Sequence, residues 1–67
     1  MYKNLLVRSR GDGWEVFDLE AGAAVKFDDR GGAKRHAEAI AREHGGAIYF
    51  YDCTGRLESS TAFPART

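Results

Sequence analysis

Apolar residues recur along this chain with two different periods. Leu5-Leu6-Val7, running into Arg8-Ser9-Arg10, has the make-up of a first strand. Gly11-Asp12-Gly13 follows with residues that tolerate positive φ, which predicts a hairpin turn. From Trp14 to Leu19 the residues favour strand, with Trp14 and Val16 on one face and Glu15, Phe17 and Leu19 on the other. Glu20-Ala21-Gly22 breaks the run, and Ala24 to Phe27 supplies a third, shorter strand. The first part of the chain therefore reads as a three-stranded antiparallel meander.

The period changes after Asp28. Asp28 or Asp29 can accept hydrogen bonds from the free amides of a helix start, and Ala33, Ala37, Ile40 and Ala41 recur at helical spacing. Lys34, Arg35, Glu38 and Arg42 take the outer face, and Gly45-Gly46 is suited to a left-handed stop. An inner stripe made mostly of alanine lets a helix come close to a sheet while burying little area per residue. Beyond it, Ala47-Ile48-Tyr49-Phe50-Tyr51 is the strongest strand signal in the chain. Thr54-Gly55 supplies a turn before Arg56-Leu57-Glu58 begins a return strand. The expected architecture is α+β, in the order β-β-β-α-β-β, an antiparallel sheet with one helix packed on one face. It forms a single domain over residues 1–63, and the proline-containing stretch 64–67 is expected to fray.

One helix covers one face of a sheet. If Leu5, Val7, Trp14, Val16, Phe27, Ile48, Phe50 and Leu57 point toward it, alternation turns Leu6, Phe17, Leu19, Tyr49 and Tyr51 away. Trp14, as the largest apolar side chain, is expected to be buried against the helix near Ala37 and Ile40. Phe17, Leu19, Tyr49 and Tyr51 form the candidate interface, for a homodimer or another protein partner.

Length sharpens this picture. At 67 residues the chain holds one modest core, which argues against a two-domain enzyme or a deep cofactor pocket, and self-association would supplement so small a core. Ten Lys and Arg balance ten Asp and Glu, so a dedicated duplex binder, which needs a clear excess of cations, is disfavoured. A single cysteine permits no disulfide within the chain. A small exported domain would normally carry several, and no apolar stretch here is long enough for a signal or a membrane span, so a soluble cytoplasmic protein is expected.

Several of these pieces together resemble a family of short bacterial proteins, the domain of unknown function 2188. Gly13-Trp14-Glu15-Val16 resembles the family's opening, and Phe27 the apolar residue before its helix. Ala33, Ala37 and Ala41 look like its alanine-rich helix, Gly45-Gly46 its glycine exit, and Asp52 to Leu57 its closing hairpin. Gly31-Gly32 departs from the polar residues of its first helical turn, and Tyr49-Phe50-Tyr51 is more aromatic than its usual strand. The resemblance implies a sheet carrying one helix. It brings no activity or catalytic residue to transfer.

Candidate chemistry is sparse. His36 and His44 are eight residues apart, about 12 Å along a helix at about 1.5 Å per residue, too far to share one zinc ion. Cys53 with a histidine, or Ser59 and Ser60 with His44, lacks a nucleophile motif and a third orienting group, so no enzyme, metal or cofactor is expected. Gly31-Gly32-Ala33-Lys34 lacks the earlier glycine and the following Ser or Thr of a phosphate-binding loop, and Arg10-Gly11-Asp12 reads as an ordinary turn. The leading functional expectation is protein association. The alternative is single-stranded nucleic-acid binding, with Arg8, Arg10, Lys34, Arg35 and Arg42 at phosphates and Tyr49 and Tyr51 stacking on bases.

Overall fold

A computed structural model of the protein describes residues 3–64. The chain runs through β1 (Lys3–Arg10), β2 (Gly13–Asp18), β3 (Ala23–Phe27), α1 (Arg30–His44), β4 (Gly46–Tyr51) and β5 (Leu57–Phe63). The expected α+β class and element order are present. Of the expected irregular tail only Pro64 is described, and it belongs to no regular element; residues 65–67 lie outside the described residues.

Local chemistry explains the boundaries. Gly11 at φ 63°, the first of two turn residues, is what a tight right-twisted hairpin requires, and it sets the register in which Arg10 faces Gly13 and Arg8 faces Glu15. Asp18 closes β2 by accepting the amides of Glu20 at 3.0 Å and Ala21 at 3.1 Å. Asp29, the second of the two expected cap candidates, takes the amide of Gly32 at 2.7 Å. At the other end of α1, Gly45 at φ 78° donates its amide to the Ala41 carbonyl at 2.7 Å and accepts the Lys3 amide at 3.0 Å. The end of the helix is thereby tied to the start of β1.

The five strands form one sheet in the order β3-β2-β1-β4-β5, and it is mixed. The meander β1-β2-β3 and the hairpin β4-β5 are antiparallel as expected, but β4 lies parallel to β1 with Leu5 opposite Ile48 and Val7 opposite Phe50. This corrects the expectation of an antiparallel sheet. Three strands and a helix return the chain to the end where β1 began, so β4 runs in the direction of β1 and β3. Its only antiparallel neighbour would be β2, and both sides of β2 are already taken.

The core lies between α1 and one sheet face. Leu5, Val7 and Ile48 are its largest fully buried side chains, joined by Val16, Phe50 and the helical stripe Ala33, Ala37 and Ala41. Full burial of each branched side chain contributes about 1.5 to 3 kcal/mol relative to exposure. Trp14, expected in the buried centre, is only partly buried; it packs on the core margin with Phe27, Ile40 and Phe63, and the Arg30 guanidinium sits 5.6 Å from its ring centre. Leu57 also departs from expectation. A register irregularity between Phe50 and Tyr51 brings Leu57 opposite Tyr51, which turns it away from the helix and leaves it 57% exposed.

Candidate functional site

The face of the sheet opposite α1 is uncovered among the described residues, and strand register makes it a pattern of rows. In the middle row Leu6 faces Phe17 on β2 and Tyr49 on β4, Phe17 faces Ala24, and Tyr49 faces Ser60. In the row beside it Lys26 faces Glu15, Glu15 faces Arg8, and Tyr51 faces Leu57. Arg8 and Tyr51 lie one step beyond the Val7 and Phe50 pair and together line a shallow hollow of about 290 Å³ with Leu6, Ser9 and Gly55. The result is an apolar strip of Leu6, Phe17 and Tyr49, bordered by Tyr51 and Leu57.

Three of the four expected interface residues, Phe17, Tyr49 and Tyr51, lie in strands on this face and are half-buried. Leu19 is 47% exposed, but it stands in the turn after β2 rather than in the strand, with its amide on the Asn4 carbonyl at 3.0 Å. Strict alternation puts Leu57 on the wrong side; it belongs to this face.

A charged pair sits beside the strip. Glu15 is 4% exposed although it is on the uncovered face, because Arg8 lies over it with Nε 2.6 Å from its carboxylate. The same guanidinium stands 5.1 Å from the centre of the Phe17 ring. One arginine therefore screens a buried carboxylate and an aromatic face from water. A buried carboxylate needs such a partner, since an unpaired charge there would be costly. Burial of Glu15 left no trace in the hydrophobic pattern, but its pairing with Arg8 follows directly from the two-residue turn.

Three of the cations expected at phosphates sit across the sheet. Lys34, Arg35 and Arg42 are on α1, on the other side of the sheet from Tyr49 and Tyr51. Lys34 stands 5.9 Å from the centre of the Phe50 ring and Arg42 5.7 Å from that of Phe63. Arg10 lines an open hollow of about 520 Å³ at the hairpin end with Asp12, Trp14, Lys26, Phe27 and Asp28, a lining in which the acids match the bases in number.

Cys53 is an exposed free thiol in the β4–β5 turn. Its neighbour Asp52 organises that turn: the Thr54 hydroxyl at 2.6 Å, the Arg56 amide at 3.0 Å and the Thr54 amide at 2.9 Å all donate to its carboxylate and hold it below the usual carboxylate range. His36 packs against Phe27, ring centres 5.1 Å apart. Among the described residues no three His, Cys, Asp or Glu side chains are grouped to hold a metal ion, and no helix is long and apolar enough to cross a membrane. No protein-family model matches the chain, and neither does any curated protein or solved structure.

Proposed function

We propose that the protein is an association module that binds another protein through its uncovered sheet face. The observation that carries this reading is the placement of Leu6 between Phe17 and Tyr49 in a single row, with Tyr51 and Leu57 alongside. Aromatic and aliphatic side chains clustered on a rigid strand platform are suited to the centre of an interface, and tyrosine adds ring area while its hydroxyl stays wet. Arg8 adds a polar border, its pairing with Glu15 leaving other guanidinium N–H groups for a partner's acceptors. The sequence resemblance to the domain of unknown function 2188 is compatible with such a role and assigns no chemistry to the chain.

Nucleic-acid binding has weaker support. Of its phosphate residues, Lys34, Arg35 and Arg42 are on the opposite side of the sheet from the stacking residues Tyr49 and Tyr51, Arg10 is at the hairpin end, and Arg8, which shares the aromatic face, is already paired with Glu15. A photo-crosslinking phenylalanine analogue introduced at Tyr49 tests the association reading in the cell. Discrete protein adducts are expected from position 49 and none from the helix position Arg35, and Phe17→Glu should abolish them. Adducts that form equally at both positions, or none at 49, would overturn the proposal.

A further inference from the structure

The two outer strands of the sheet are guarded very differently. β3 has only five residues and bears Lys26, features that discourage pairing with another chain. β5 has seven residues, and from Leu57 through Ala62 every one is exposed. Its one charged residue, Glu58, lies at the register irregularity near its start and is engaged by Arg30. Its nearest proline, Pro64, lies just past its end. Between them Ser59-Ser60-Thr61-Ala62 is an uncharged, regular window, and among the described residues nothing pairs with its outer side. A row of free backbone N–H and C=O groups with small side chains and no guard is a template for another strand.

We propose that this edge pairs with β5 of a second copy of the chain, antiparallel about Thr61, joining two five-stranded sheets into one. Directly opposed residues share a face, so a two-fold through one residue must match helix-side residues with helix-side residues. Centring on Thr61 does this: Thr61 meets Thr61 of the second copy, Ser60 meets Ala62, and Ser59 meets Phe63. Ser60 and Ala62 belong to the uncovered face through their partners Tyr49 and Ala47, whereas Ser59, Thr61 and Phe63 follow Phe50, Ile48 and Gly46 on the helix side. A centre on Ser60 fails, because it would oppose Leu57 and Phe63, which the irregularity places on different faces.

Threonine suits the central position, since opposed hydroxyls can bond to each other and the β-branch favours strand. No like charges meet across the seam, and a chain with ten cations and ten acids carries no net charge to repel its copy. The helix lies chiefly over β1, β2 and β4, so β5 projects beside it and a second sheet can approach. This dimer is independent of the association reading above, although it would set the two uncovered faces side by side.

Sedimentation equilibrium on the full chain, with Thr61→Lys and Thr61→Glu, tests the inference. The wild type is expected to be dimeric, and each variant, which opposes two like charges at the two-fold, should raise the dissociation constant at least tenfold. An equimolar mixture of the two variants should regain a dimer, because the introduced ammonium of one chain then meets the introduced carboxylate of the other. A wild type that stays monomeric at every accessible concentration, dimers that persist in both variants, or a mixture that fails to reassociate would overturn it. Dimer loss in Tyr49→Glu with retention in both Thr61 variants would instead assign self-association to the sheet face. Should either Thr61 variant not fold, amide hydrogen exchange on the wild type decides. The outward amides of Ser59 to Ala62 should gain protection as concentration rises, and concentration-independent exchange there would exclude the edge.

Discussion

Gly46 packs its α-carbon directly against the backbone of Lys3. At φ 154°, any β-carbon at position 46 would overlap the Lys3 carbonyl, so the parallel junction of β1 and β4 begins at a point that only glycine can occupy. Because the same residue also faces Phe63 on β5, it joins three strands at one spot.

Gly46→Ala is therefore expected to destabilise the fold by about 2 to 4 kcal/mol, combining backbone strain with steric overlap against main-chain atoms that have little room to move. Chemical denaturation measures it. A change below about 0.5 kcal/mol would show that β1 and β4 can separate at this end without cost.

Core truncations should rank by burial rather than by side-chain size. Leu5→Ala, at a fully buried site between β2, β4 and the helix, is expected to cost about 2 to 5 kcal/mol. Trp14→Ala should fall below the roughly 3 to 5 kcal/mol of a buried aromatic, because its ring sits at the margin of the core beneath Arg30. Thermal unfolding of both variants in one buffer tests the order, and a larger loss for Trp14→Ala would contradict it.

Acid should weaken the β2–β3 turn. The Ala21 amide above all, with Lys3 Nζ at 3.2 Å and the Glu20 amide, holds the Asp18 carboxyl below its ordinary value. A carboxyl with a lowered folded-state pKa adds stability that is present above the ordinary value, about 3.9, and is lost as pH falls through the lowered one. Asp18→Asn should accordingly reduce stability at neutral pH and flatten its decline below about pH 4. The side-chain carbon shift of Asp18, followed by NMR, should titrate below the ordinary carboxylate midpoint, and a midpoint at or above it would remove this explanation.

Local features are legible to different depths. The hairpin at Gly11-Asp12 carries its own register, so the Arg8 and Glu15 pair can be counted out from the turn. The helix stripe Ala33, Ala37 and Ala41 and the glycine stop at Gly45 depend on helical period and capping, both local properties. Leu57 escapes such a reading because alternation assumes an unbroken ladder, and one irregularity beside Tyr51 shifts its face.

The sequence by itself determined the elements, their order and the existence of an apolar second face, because turn chemistry and side-chain period act between residues that are neighbours in the chain. It also held, unread, the direction of β4, since strand count and one helix crossing dictate that β4 runs with β1. Only the tertiary structure decided that β4 docks on β1 rather than on β3, that Arg8 covers Glu15 deeply enough to bury it, and that the basic helix and the aromatic strand look away from each other. Those outcomes depend on which surfaces meet across long chain separations. Leu5 and Val7 offer Ile48 and Phe50 more apolar area to bury than the short, alanine-rich β3 can, and no local period records that competition.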